Sequence, residues 1–293
     1  MARREGMEDE RRGMTGSPRL DAHQHFWADP EALPWMSDEL QPIRRPFLPE
    51  DLKPALDAGG FEGCVAVQAD HSLEETRWLL DQARENPWIR GVVGWVDLCS
   101  EKVEEDLAVF SGESKLRGIR HIAQDEPDDR FLLCDDFSRG VNAVGRAGLV
   151  YDILVFPRQL EAAVEFSRIH TEMDLVLDHI AKPFPGDGVS PAWEAGIRAL
   201  AENPRVFCKI SGLVTEATGG AWKAHNFHPF LDVVMDAFGD SRLMFGSDWP
   251  VCLLAARGYD EVVDLVESWA GGLGATAQEM LFGGNAANIY RLS

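Results

Sequence analysis

The chain has 293 residues, 45% of them hydrophobic, and sets 28 Lys and Arg against 49 Asp and Glu for a formal charge of −21. That length suits one large domain or two small ones, and that apolar fraction can bury a sizeable core. The acidic balance excludes the basic footprint of a nucleic-acid binder and attraction to an anionic membrane surface, and no run approaches the roughly 20 apolar residues of a membrane span.

Residues 1–17 are expected to form a disordered tail. The first twelve alternate charges without the apolar stretch of a secretory signal. Cys64, Cys99, Cys134, Cys208 and Cys252 are odd in number, widely spaced and free of any C-x-x-C pair. That usage points to buried free thiols in a reducing cytoplasm.

From residue 18 onward, eight strand candidates alternate with helix-like segments: 19–25, 63–70, 89–98, 116–124, 149–156, 174–180, 206–213 and 242–248. Runs such as Cys64-Val65-Ala66-Val67 and Leu175-Val176-Leu177 read as strands covered on both faces. Pro49, Pro157 and Pro191 stand near helix starts, and Gly59, Gly60 and Gly148 near helix ends. Eight β/α repeats in about 250 residues is the arithmetic of a single (β/α)8 barrel spanning 18–293. A doubly wound open sheet is the competitor, but no glycine-rich nucleotide loop follows the first strand.

In such a barrel the chemistry sits at the C-terminal strand ends. The last strand runs Leu243-Met244-Phe245-Gly246-Ser247-Asp248-Trp249-Pro250, placing Asp248 at the mouth. The first ends Asp21-Ala22-His23-Gln24-His25, and residues two apart share a face, so His23 and His25 project together. They are half of a transition-metal site or two ordinary polar residues. The sixth ends Leu177-Asp178-His179-Ile180-Ala181-Lys182-Pro183, where three ionisable groups after an apolar run need partners. Three imidazoles and a carboxylate at one end of the barrel are a zinc-type donor set. Gln68, Asp70, His71, His121, Tyr151, Asp152, Ser211, Thr215 and Glu216 add polarity at other strand ends. Arg120 is either an oxyanion or carboxylate donor or the salt-bridge partner of Asp152 or Glu216. Lys209 either pairs with Asp248 inside the barrel or faces the helices. Trp27, Trp35 and Trp249 are wall candidates. No G-x-S-x-G elbow and no phosphate cradle occurs. Hydrolysis by an activated water remains.

The ordered set Asp21-Ala22-His23-Gln24-His25-Phe26-Trp27, Val92-Val93-Gly94-Trp95-Val96-Asp97-Leu98, Gly118-Ile119-Arg120-His121, Leu177 through Pro183, Lys209 through Ala217 and the strand-eight stretch resembles the amidohydrolase superfamily. Within it, the chain is most similar to the sugar-lactone hydrolase branch of L-fuconolactonase-like and L-rhamnonolactonase-like proteins. The resemblance implies a (β/α)8 barrel hydrolysing a small sugar-acid lactone, with Asp248 as general base and His179, Arg120 or a metal stabilising the oxyanion. It implies at most one divalent ion, zinc, on His23, His25 and Asp248, with His179 as a further ligand or supporting donor; metal-free catalysis stays open. Gln68, His121, Asp152, Lys182, Glu216 and Trp249 are the expected substrate contacts. The loops 30–46 and 222–229 are expected to decide stereochemistry, in a cytoplasmic monomer or homodimer. The alternatives are a lactonase for a carboxylated aromatic-degradation lactone, a related decarboxylase, and a non-catalytic sugar-acid-binding barrel.

Overall fold

Eight parallel strands line the interior of the computed structural model, which describes residues 16–217 and 222–292. They are β1 (Leu20–Gln24), β2 (Gly63–Val67), β3 (Ile89–Gly94), β4 (Leu116–His121), β5 (Val150–Ile153), β6 (Leu175–Leu177), β7 (Val206–Ile210) and β8 (Leu243–Phe245), each paired with the next in sequence order. The seam between β8 and β1 is closed beyond the regular ladder, by a parallel bridge between Gln24 and Trp249. There the His25 N–H donates to the Trp249 carbonyl at 2.7 Å and the Asp248 N–H to the His23 carbonyl at 2.8 Å. All eight expected strands occur, and each stops short of its expected end because its last residues leave the ladder to build the mouth.

The helices of the repeats are α1 (Pro49–Ala58), α2 (Leu73–Glu85), α3 (Val103–Val109), α4 (Asp135–Arg146), α5 (Leu160–Ile169), α6 (Pro191–Ala201), α7 (His228–Phe238) and α8 (Tyr259–Ala270). Their boundaries follow local chemistry. The Ser72 hydroxyl caps α2 by accepting from Glu75 N, Glu74 and Glu75 favour the positive end of the helix dipole, and Leu79, Leu80 and Ala83 turn toward the barrel. Pro opens α1 and α6, and Pro157 opens the turn that leads into α5.

A C-terminal segment has no counterpart in the repeat pattern. It comprises α9 (Ala275–Glu279), a π turn (Met280–Gly284) and α10 (Asn285–Ile289). Ala286, Ile289 and Tyr290 pack with Ala22, Val65, Val67, Val93, Val150, Val176 and Met244, so this segment plugs the bottom of the barrel. Gly283 permits the approach, since a Cβ there would overlap the Pro18 carbonyl.

All five cysteines are free, but only Cys64, Cys208 and Cys252 are buried. Cys99 and Cys134, expected inside, are exposed because both lie in connections from strand to helix, Cys99 after β3 and Cys134 at the N-terminal cap of α4. Most of the expected tail, residues 1–15, lies outside the described residues; the Ser17 N–H already donates to Glu279 Oε1 at 2.5 Å. Among the described residues no helix is long and apolar enough to cross a membrane.

Candidate active site

Two residues up each strand from the apolar plug, the barrel interior becomes charged. Val150 is followed by Asp152, Val176 by Asp178, Phe207 by Lys209 and Gly118 by Arg120, because the inward face recurs every second residue. Lys209 Nζ donates to Asp152 Oδ2 at 2.5 Å and lies 3.0 Å from Asp178 Oδ1; all three side chains are inaccessible to solvent. Tyr290 donates its hydroxyl to Asp152 at 2.7 Å. Arg120 spans Gln68 and Asp178, with Nε to Gln68 Oε1 at 2.8 Å, Nη2 to the Gln68 carbonyl at 2.5 Å and Nη1 to Asp178 Oδ2 at 3.1 Å. Burial pushes the Asp152 carboxyl up to about 6 even though Lys209 opposes it. Burial works on Asp178 in the same direction, but Lys209, His23 and Arg120 together hold it well below the usual carboxylate range. Two cations thus balance two carboxylates, as charges withdrawn from water require.

Above this layer four side chains converge. His23 Nε2 and His25 Nε2 are 3.2 Å apart, and Asp248 Oδ1 is 3.3 Å from His25 Nε2, 3.8 Å from His23 Nε2 and 3.9 Å from His179 Nε2. A register shift in the β1–β2 pairing between Asp21 and Gln24 accompanies the turn of His23 into the barrel. Asp21 itself works at the seam, where Oδ1 accepts from Ser247 N at 2.9 Å and His23 N at 3.1 Å. Each imidazole is anchored from behind: His25 Nδ1 donates to the Val67 carbonyl at 2.8 Å, His179 Nδ1 meets Ser211 Oγ at 2.8 Å, and His23 Nδ1 lies 3.3 Å from Asp178 Oδ1. Burial keeps His179 neutral, down to about 3, and holds His23 well below the ordinary imidazole value. Burial would raise Asp248, but the adjoining imidazoles, His179 first and then His25 and His23, keep it below the usual carboxylate range. The centre therefore sets neutral His23 and His179 beside an ionised carboxylate.

His179 and Lys182 are carried by an unusual backbone. His179, Ile180, Ala181 and Lys182 have φ of 56°, 48°, 57° and 49°, a full left-handed turn without glycine. The left-handed helix disfavours each L-residue by roughly 1–2 kcal/mol, so surrounding contacts must impose it. Asp248 is left-handed too, at φ 57°.

The mouth opens into a cavity of about 250 Å³ floored by His25, Arg120, His179 and Asp248. That is a little below the roughly 300–1,000 Å³ of pockets for drug-sized ligands, and suits a single small ring. Asp125, Lys182 and Glu216 supply its charged wall, and Leu40, Leu154, Val251 and Leu254 an apolar one. Lys182 Nζ lies 3.6 Å from Glu216 Oε1. Burial raises Glu216 while Lys182 opposes the shift. Trp35 closes one side, its indole donating to the Ala69 carbonyl at 2.7 Å.

A family model described as amidohydrolase matches residues 20–292. The chain belongs to the amidohydrolase family. It is 44% identical to an L-fucono-1,5-lactonase of Burkholderia multivorans over 94% of this chain and 97% of that one. It is 40% identical to an L-fucono-1,5-lactonase of Burkholderia ambifaria, over 94% and 96% respectively. A crystal structure of a Burkholderia multivorans amidohydrolase with bound zinc superposes with a TM-score of 0.91 at 44% identity, covering 94% of this chain and all of that one.

The donor set of this amidohydrolase is consistent with one divalent metal. Ligand atoms of His23, His179 and Asp248 all lie within 4.8 Å of one another, and His25 Nε2 stands beside them. Because the Val67 carbonyl can only accept, His25 carries its proton on Nδ1 and leaves Nε2 bare. A bare lone pair facing the ring nitrogen of His23 at 3.2 Å is repelled by another lone pair and relieved by a proton or cation between them. Neutral imidazoles and a carboxylate suit zinc. His179 thus stands in the group of three, and His25, expected as a primary ligand, stands next to it.

Of the expected substrate contacts, Lys182 and Glu216 line the cavity. Gln68, His121, Asp152 and Trp249 do not. Gln68 holds Arg120, and Asp152 sits a layer below. Next to the inward Arg120, His121 points the other way, stacked on His71 at 4.4 Å and bonded to Glu126 at 2.8 Å. Trp249 packs edge-on to Phe26 and Phe47. Both readings of Lys209 are corrected: it is an interior cation, paired with Asp152 and Asp178 rather than Asp248. Arg120 likewise pairs with Asp178, not with Asp152 or Glu216. Ser211, read as strand-end polarity, stands behind His179; Leu154 and Asp125 in the wall and Tyr290 below were missed, and of these only Leu154, in a predicted strand, carried a signal.

Proposed function

We propose that this amidohydrolase opens a small neutral sugar-acid lactone, an aldonolactone such as L-fucono- or L-rhamnonolactone, by adding water across its ester bond. The L-fucono-1,5-lactonases that resemble it over nearly their whole length support the choice of lactone. The observation that carries the reading is the charge of the cavity wall. Asp125 and Asp248 face the ligand space, while the two cations there are already balanced in charge, Arg120 by Asp178 and Lys182 by Glu216. Such a wall accepts hydroxyl groups and repels carboxylates, which favours an uncharged lactone over a carboxylated aromatic-degradation lactone.

The carbonyl carbon is attacked by water whose proton passes to Asp248. Its Oδ1 faces the imidazoles, and the carboxylate is ionised and able to accept. The same group then returns the proton to the ring oxygen as the ester bond breaks, so that a hydroxy acid leaves. On the floor where charge develops on the carbonyl oxygen stands Arg120, or His179 when its Nε2 holds no metal, and a donor of that kind contributes roughly 3 kcal/mol. His23, His179 and Asp248, with His25 alongside, would hold a divalent metal, which would supply Lewis acidity and lower the pKa of water toward about 7. Lys182 and Glu216 bind substrate hydroxyls, and Leu154, Val251 and Leu254 take the apolar edge of the ring. Free thiols support a reducing, cytoplasmic setting, and the complete one-chain cavity is compatible with a monomer or a homodimer.

The test is acid release, read with a pH indicator, from a panel of aldonolactones including L-fucono-, L-galactono-, D-arabinono- and L-rhamnonolactone, with chelator and with added zinc. Turnover of one stereochemical group is expected. Silence across the panel together with turnover of a carboxylated lactone would overturn the reading.

A further inference from the structure

The left-handed turn at 179–182 needs a device to hold it, and the described contacts supply one outside the cavity. Trp193 lies on α6, 2% exposed, with its ring edge-on to Phe230 of α7 at 5.3 Å. Its indole N–H donates to the Ile180 carbonyl at 2.8 Å. Ile180 and Ala181 are completely buried, so without that donor the carbonyl has no water to turn to. Within the turn the Lys182 N–H bonds the His179 carbonyl at 2.7 Å, and the ends of the turn carry the two side chains that enter the cavity. On the opposite side the chain leaves room: Gly212 has φ 59°, and a Cβ there would stand 2.5 Å from His179 Nδ1.

We propose that Trp193 is a positioning residue of the active site, acting through the Ile180 carbonyl on the left-handed turn that presents His179 to the metal-binding cluster and Lys182 to the substrate. This rests on the site proposed above. The indole ties an outer helix to a strained turn whose relaxation to ordinary backbone swings both side chains at once. Bulk packing of the same ring against Phe230 is a separate role, which stabilises the α6–α7 interface without aiming anything.

The two roles separate by comparing Trp193→Phe with Phe230→Leu in the full-length protein. Both substitutions lower the melting temperature. Only Trp193→Phe is expected to weaken zinc binding, by about tenfold or more, as loss of a ligand-orienting contact does; this is measured on metal-stripped protein by competition with a chromophoric chelator. KM for the lactone rises with it. If Trp193→Phe does not fold, benzothienylalanine at position 193 keeps the ring shape and deletes only the N–H. Zinc affinity and KM that match those of Phe230→Leu overturn the proposal. A wild-type protein inactive on every lactone overturns the function reading instead, and leaves the zinc comparison intact.

Discussion

Replacing Lys209 by methionine tests whether the charged layer beneath the site is a balanced unit. Methionine fills much of the lysine volume but leaves Asp152 and Asp178 facing each other in a region without solvent, with Tyr290, His23 and Arg120 as their remaining partners. Removing one member of a buried ion pair costs about 3–5 kcal/mol, against a total stability of roughly 5–15 kcal/mol. For a chain of this length each kcal/mol is worth roughly 2 °C, so a fall of about 6–10 °C is expected. The loss also depends on pH with a definite sign. Asp152 is already pushed up to about 6 by burial, and without the lysine its folded value rises further above the unfolded one, about 3.9. A folded state that holds a proton the unfolded state has released loses stability as pH rises, by up to about 1.4 kcal/mol per unit. The deficit against wild type should therefore be smaller near pH 5 than near pH 8 in thermal unfolding followed by circular dichroism. A deficit below about 2 °C, or one that grows toward low pH, would refute the argument.

Asp248→Asn removes the proton acceptor but keeps the shape; kcat should fall about 10²–10⁴-fold while the far-ultraviolet spectrum and the melting temperature stay near wild type. Retained turnover rejects Asp248 as the base. Gly212→Ala places a methyl group against His179 and strains a left-handed position, so zinc affinity and kcat should drop together; a variant indistinguishable from wild type shows that the His179 ring can yield. Burial pushes Glu75 up to about 8, opposed by the amides of Asp70 and Ala69. Because that folded value lies above the unfolded one, its stabilising effect is complete below about pH 4 and is lost as pH rises toward 8. Glu75→Gln should gain on wild type steadily over that window in melting temperature, and a difference independent of pH contradicts the shift.

The strand ends illustrate what can be read without coordinates. Val150-Tyr151-Asp152 and Gly118-Ile119-Arg120 announce a polar group after an apolar stretch, and a period of two says that alternate residues share a face. That reasoning places His23 beside His25 and also implies that His121 faces away from Arg120, a consequence the polar character of His121 obscured. Depth was less legible. Asp152 and Asp248 both follow apolar residues, yet one pairs with Lys209 below the site and the other faces the ligand, because tilt and register set the height at which each strand delivers its residues.

The eightfold alternation of strand and helix, the end of the barrel that carries chemistry and the donor types gathered there are legible along the chain, since periodicity and residue chemistry are local properties. Which ionisable groups neutralise one another is settled by contacts between distant strands. Asp178 joins Arg120 and Lys209 from different strands, Tyr290 arrives from the far end of the chain, and Trp193 reaches in from an outer helix. The left-handed turn at 179–182 is the sharpest case. No local preference of His, Ile, Ala or Lys selects it, because each residue alone favours the opposite hand; it exists where contacts made only in the folded protein outweigh that preference.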